Sequence, residues 1–262
     1  APTLSGTVDE QAKPIHQQFQ ILSIINPEEI ALRAKGWSIS YGELNKNANQ
    51  LAHYLRSERG VRKGGVVGIA IERGYEQVRA ILAAWKMECA YLPIDLSLPR
   101  ERIAFILDDA QCDVVLCSRT WSTWMGQEGR KICVVDEPSE TFAISRHASN
   151  DFEDLEVDGE GSEIAYIIYT SGSTGQAKGV VQTHRTLINL IEGLKKKDGI
   201  TRPLRTLQYA ASGFDVAVQE LCTVLALGGE LYLISEEEKK EIPQLAQLIQ
   251  DGGIERLYLP PA

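Results

Sequence analysis

The chain reads as an α/β protein of layered, largely parallel β-sheets with flanking helices. Three features of the sequence say so. Short, largely apolar runs recur at 66–71, 113–117 and 164–169, with the length and character of buried strands. Between them lie segments with the spacing of amphipathic helices. The two signals alternate, which implies parallel strands joined by right-handed crossovers.

Taken in order, residues 42–59 place Leu44, Ala48, Leu51, Ala52 and Leu55 on one helical face, and Gly60 ends the run. VVGIAI at 66–71 is a buried strand, 74–86 a helix, and AYLPI at 90–94 an extended segment with Pro93 at its edge. Pro99 opens a helix over 100–109, after which DVVLC (113–117) and KICVV (131–135) return as strands. Residues 136–163 form an acidic, solvated connection between a first α/β portion, 1–135, and a second, 164–262. Beyond it the alternation resumes: strand 164–169, VVQT, helix 184–197, RTLQY (205–209), helix 215–227, ELYLI (230–234), helix 241–251 and RLYLP (256–260). Gly228-Gly229 and Gly252-Gly253 close the last two helices.

Composition narrows the function classes. A chain of 262 residues can bury roughly 70–75% of its unfolded surface, enough for one substantial core or two small ones. The formal charge of −9 (27 bases, 36 acids) is matched by residues 136–163 alone, with ten acids against Arg146, so the remainder is near neutral. A basic stripe for nucleic acid is missing, and Lys195–Lys197 reads as the cationic last turn of a helix. Five cysteines, odd in number and without a C-x-x-C pair, argue against a disulfide framework or zinc site and fit a reducing cytoplasm. The histidines are too scattered for a metal cluster. No apolar run approaches the ~18 residues a membrane span needs, and the start lacks a signal-peptide pattern. The first residue is Ala1, which hints at a piece of something longer.

The most informative segment is YTSGSTGQAKG at 169–179. It follows a strand, and its glycines and hydroxyls could offer backbone N–H groups and side chains to a phosphate chain, with Lys178 as a mobile cation. The P-loop pattern fails, because Ala177 precedes and Gly179 follows the lysine. The dinucleotide fingerprint fails too, since the glycines run Gly172, Gly175, Gly179. A solvated Gly/Ser turn is the plain alternative.

This segment closely resembles the phosphate loop of adenylate-forming enzymes, and among them the adenylation domains of nonribosomal peptide synthetases. The resemblance extends over nearly the whole chain in order: ISYGELNKNANQLAHYL at 39–55, AAWKMECAYLPIDLSLPRERIAFILDDA at 83–110, the loop, and GFDVAVQE at 213–220. It implies the large N-terminal subdomain of that fold, truncated. Three departures stand out: Met87-Glu88-Cys89 where the family has small residues and glycine, Ala177 for a proline, and Ala217 for a serine. The family's domains also continue past Pro260-Pro261-Ala262 with a ribose-binding aspartate, a magnesium-binding glutamate and a C-terminal subdomain carrying a lysine.

The resemblance implies attack of an amino-acid carboxylate on the α-phosphorus of ATP, giving an aminoacyl adenylate and pyrophosphate. The acyl group then passes to the phosphopantetheine thiol of a carrier protein. Thr170, Ser171, Gly172, Ser173, Thr174, Gly175 and Lys178 would bind the phosphates with Mg²⁺, whose protein ligand cannot be placed on this sequence. Asp215 would pair with the substrate ammonium as a buried charge; its plain alternative is a helix N-cap. Val216, Gln219 and Tyr258 follow as pocket-lining positions, a pattern resembling that of proline-activating domains, with core packing the alternative for Val216 and Tyr258. His184 and Phe214 resemble a His/aromatic pair that gates the carboxylate, with an ordinary helix start the alternative for His184. A non-catalytic nucleotide-binding or scaffold module on the same fold is the competing reading of the whole chain.

Overall fold

A computed structural model describes residues 13–127, 129–152, 161–171, 177–198, 200 and 202–259, with the side chains of Ser171 and Asp198 outside the description. The elements in chain order are α1 (Ile15–Ile25), β1 (Ile30–Ala34), β2 (Trp37–Ser40), α2 (Tyr41–Glu58), β3 (Val66–Ala70), α3 (Tyr75–Lys86), β4 (Ala90–Pro93) and α4 (Arg100–Asp109). Next come β5 (Val114–Cys117), α5 (Arg119–Gln127), β6 (Ile132–Val134), α6 (Pro138–Ser145), β7 (Ile164–Ser171), β8 (Ala177–Thr183) and α7 (His184–Asp198). The last are β9 (Arg205–Gln208), α8 (Asp215–Leu227), β10 (Glu230–Leu233), α9 (Glu236–Lys240) and α10 (Ile242–Asp251).

Two sheets result, one of order β2-β1-β10-β9 and one of order β6-β5-β3-β4-β7-β8. Neighbours are parallel except at β1–β2 and β7–β8, where a hairpin leaves an antiparallel edge strand. A central core unites residues of both sheets, such as Leu32 and Leu231 with Val67 and Tyr91, with the inner faces of α1, α2, α3 and α8. Ile103, Ile106 and Leu107 of α4 and Met125 of α5 cover the outer face of the larger sheet, while Leu245 of α10 packs with Leu207 and Ile234 of the smaller. The layers therefore run helix, sheet, helix, sheet, helix, each sheet burying both faces as its apolar strands require. Tyr41 ties the middle layer to the smaller sheet: its hydroxyl, fully buried, shares its proton between the carbonyls of Val224 at 3.0 Å and Gly229 at 2.8 Å.

Several expectations are corrected. The acidic connection is not simply solvated, because α6 forms within it and two of its carboxylates hold the core. Glu140 accepts from Arg59, from the Tyr54 hydroxyl at 2.9 Å and from the Val134 N–H at 3.0 Å. Asp151 pairs with the buried ammonium of Lys86. Of the expected strand at 256–260, the described part makes a single parallel bridge, Thr206 to Arg256. At the end of α3, Glu88 adopts φ +55°, in the left-handed region that favours glycine. The N–H of Cys89 reaches back to the Ala84 carbonyl at 3.0 Å, a Schellman closure. The Glu88 side chain meets Lys63 at 2.5 Å. This is the altered Met87-Glu88-Cys89 turn: the chain keeps the glycine conformation without the glycine.

Candidate functional site

The strand feeding the phosphate-loop segment is β7, and β8 returns from it in register. Thr170 stands opposite Lys178 and Tyr169 opposite Gly179. A side chain at Gly179 would place its Cβ 3.1 Å from both the Tyr169 ring and Ile167, so glycine here lets the ring lie across the hairpin. The Tyr169 hydroxyl donates to Asp109 at 2.6 Å, anchoring the root of the loop to the end of α4. Thr170 and Lys178 are exposed and project side by side from that root. The predicted ligands Gly172, Ser173, Thr174 and Gly175, and the side chain of Ser171, lie outside the described residues.

The second group of predicted residues gathers at the start of α8. Asp215 is its first residue, and the N-cap is Phe214, which makes no side-chain cap bond. The N-cap alternative for Asp215 therefore does not apply. Nor is its carboxylate the buried charge expected, since it lies exposed in the first turn, where the positive end of the helix dipole favours it. With 100° per residue, Asp215, Val216 and Gln219 share one face of α8 and Val218 and Leu221 another. The latter face lines a cavity of about 20 Å³ with Ile69, Tyr91, Pro93 and Gln208, room for about one water. Asp215 reaches β7 electrostatically: the Tyr166 hydroxyl is pushed up to about 12 by burial first, then by Cys222 and Asp215. Tyr258 is half-buried, two residues past the bridge that joins Arg256 to β9.

A third group was not singled out in the sequence. Glu220, the last residue of GFDVAVQE, is fully buried. Its two carboxylate oxygens accept from the N–H groups of Tyr209 and Ala210 at 3.0–3.2 Å. Arg73, beyond β3, grips the same turn, donating to the carbonyls of Gln208 at 2.6 Å and Ala210 at 2.9 Å. Burial pushes the Glu220 carboxyl up to about 7, against the pull of those N–H groups, Arg73 and Lys239. The signal available in the sequence was a lone acid opening the apolar run ELCTVLAL.

The two candidate gate residues differ in burial, and no ring contact joins them. His184 is 2% exposed, and its ring meets His16 at 5.1 Å and Trp85 at 5.4 Å between centroids. Phe214 is 63% exposed. Burial of α7's first turn against α1 and α3 leaves His184 facing inward. Among the described residues no group of three or more His, Cys, Asp or Glu could hold a metal ion, and no helix is long and apolar enough to cross a membrane. All five cysteines are free, four of them buried.

The profile of the AMP-binding enzyme family matches residues 25–262. Gramicidin S synthase 2 of Brevibacillus brevis is 36% identical over 250 residues, covering 95% of this chain and 5% of that protein. Tyrocidine synthase 1 of Brevibacillus parabrevis is 34% identical over 253 residues, covering 96% of this chain and 22% of that protein. The chain thus spans a small part of the curated relatives it matches. Among solved structures, the nonribosomal peptide synthetase FmoA3 bound to AMPPNP superposes with a TM-score of 0.80 at 27% identity, over 96% of this chain and 26% of that one. Its form bound to α-methyl-L-serine-AMP gives 0.81 at 27% identity, over 94% of this chain and 27% of that one.

Proposed function

Because the chain belongs to the AMP-binding enzyme family, we propose that it provides the nucleotide-phosphate and amino-acid contacts of an amino-acid adenylation domain in nonribosomal peptide synthesis. The carboxylate of an amino acid attacks the α-phosphorus of ATP, the α–β phosphoanhydride bond breaks, and pyrophosphate leaves. The aminoacyl group then passes to the phosphopantetheine thiol of a carrier protein, releasing AMP.

Substitution at phosphorus asks a protein mainly for alignment and charge neutralisation. Lys178 places an ammonium on the β- and γ-phosphates, with the 170–175 segment supplying hydroxyls and N–H groups. Asp215 pairs with the substrate ammonium, and Val216, Gln219 and Tyr258 line the side-chain pocket, whose pattern suits proline. Magnesium enters with ATP as the substrate complex. The free cysteines accord with work in the cytoplasm.

One observation carries the reading beyond family membership. The strand that carries the loop root at Thr170, β7, packs Ala165, Tyr166 and Ile168 in one core with Val218, Leu221 and Cys222 of α8, the helix that Asp215 opens. The packing of those two elements supports an amino acid and a triphosphate held near one another. The test is amino-acid-dependent ATP–pyrophosphate exchange by the full-length protein, run across the proteinogenic amino acids and D-forms. Exchange with one or a few of them is expected; none with any sinks the reading.

A further inference from the structure

We infer that Glu220 is a positioning residue which, together with Arg73, fixes the turn before α8 and so aims the Asp215 carboxylate at the substrate ammonium. The inference rests on the amino-acid-binding role proposed above for Asp215.

The geometry is a clamp closed from two sides. Glu220 takes the N–H groups of two consecutive residues, Tyr209 and Ala210, and Arg73 takes the carbonyls of Gln208 and Ala210. Every peptide group from 208 to 210 is thereby gripped by a charged side chain. Glu220 comes from α8 itself, and Arg73 from the segment after β3, in the other sheet. The guanidinium is further held by Glu236 of α9 at 3.0 Å. From the clamp the chain runs four residues to Asp215, through a turn closed by the Phe214 N–H on the Ala211 carbonyl at 3.0 Å. An error in the turn moves the first residue of α8 directly.

A fully buried carboxylate is costly unless its bonds require it. Here the bonds go to backbone, not to a core partner, so the group serves the turn's shape. The groups facing it are Arg73, Lys239 of α9 and the adjoining Tyr209, with Glu236 acting through Arg73. The ionised form accepts from both N–H groups; the protonated form turns an O–H toward donors that cannot accept it. The carboxyl changes state near neutrality. With Glu220 still buried, loss of the two N–H bonds would raise its proton affinity further. Within the folded protein the clamp therefore tightens as pH rises through that range, even though ionisation lowers the stability of the fold as a whole.

The experiment is pyrophosphate exchange by the full-length protein between pH 6 and 8, with separate KM values for amino acid and ATP. The wild-type amino-acid KM is expected to fall about tenfold over that range, with the ATP KM constant within twofold. Glu220→Gln should raise the amino-acid KM about tenfold at pH 8 and flatten its pH dependence, with kcat changed less than threefold. Arg73→Gln removes the cation that favours ionisation and should move the inflection upward by about one pH unit. A flat wild-type profile overturns the inference, as does an unchanged slope in Glu220→Gln or an unmoved inflection in Arg73→Gln. Should Glu220→Gln not fold, the wild-type profile and Arg73→Gln still decide. Amide-exchange protection at Tyr209 and Ala210 separates the two failures: protection that strengthens through neutrality, with no exchange for any amino acid, leaves the clamp standing and removes only the substrate reading.

Discussion

The rings of His16 and His184 meet edge-on with centroids 5.1 Å apart, joining the first turn of α1 to the first turn of α7. Neither Nδ1 has a hydrogen-bond partner, and both rings are buried. Burial holds His184 down to about 4. His16 lies well below the usual imidazole range through burial first, then the proximity of His184 and Lys86. Both are therefore neutral in the folded protein at pH 7.

A first prediction follows from the signs. An unfolded imidazole takes its proton near 6.5, whereas folded His184 resists it until about 4. Stability present above pH 6.5 is lost as pH falls toward 4, by roughly 3 kcal/mol for this group. Glu220 works the other way, since the folded state holds a proton between about 4.5 and 7 that the unfolded state has released. Its contribution is full below 4.5 and lost as pH rises through about 7. The two slopes oppose each other. Melting midpoints measured from pH 4.5 to 7 should drop more on acidification in Glu220→Gln than in wild type, and less in His184→Phe. Parallel curves for all three proteins would contradict this.

A second prediction concerns Lys178. It is exposed and stands opposite Thr170 at the mouth of the hairpin, so Lys178→Ala should leave the melting midpoint unchanged. Losing one preorganised charge at a site of developing negative charge costs about 10²–10³ in rate. Pyrophosphate exchange should fall by that factor, with the amino-acid KM little altered. Unimpaired exchange would remove Lys178 from the phosphate site.

The third concerns the core. Lys86 is buried on α3 with a side chain 4% exposed, and Asp151 is its ionic partner. Burial pulls its ammonium below the usual lysine range, with Asp151 opposing. Asp151→Ala strands a buried charge and should cost about 3–5 kcal/mol in denaturant unfolding. Adding Lys86→Met should recover most of that loss, because two desolvated charges are then replaced by an apolar chain. Failure of the double variant to recover would mean the pair does more than neutralise itself.

What the sequence made legible divides along physical lines. The expected helix at 215–227 is α8 as found, and α4 matches as well, because long apolar periodicity with clear stops outweighs competing signals. The paired glycines did close α8, with Gly228 at φ +77°. α5 went unread: RTWSTWMGQ buries only Met125, and threonine, serine and glycine oppose helix locally, so tertiary packing decides. α6 is similar, with only Ile144 buried. The site followed the same rule. Lys178 and Asp215 sit in motifs whose spacing is local, whereas the roles of Glu220, Arg73 and His16 arise from contacts across 11 to 168 residues. Counting acids between 136 and 163 gave the right charge, but charge alone could not separate solvated carboxylates from Glu140 and Asp151, whose partners come from α2 and α3.

The fourth prediction separates the two halves of the proposed site. Asp215 sits exposed in the first turn of α8 with no side-chain cap bond to lose, so Asp215→Ala should fold as well as wild type. If its carboxylate meets the substrate ammonium, its loss removes a charge-assisted contact made by amino acid and not by nucleotide. The amino-acid KM should then rise at least tenfold while the ATP KM stays within twofold, the reverse of the pattern for Lys178→Ala. Asp215→Asn should fall between, because an amide oxygen can still accept from an ammonium but carries no charge. A uniform loss in both KM values would place Asp215 in the packing of the turn. Its exposure argues against that outcome, and the Glu220 clamp already holds the turn without it.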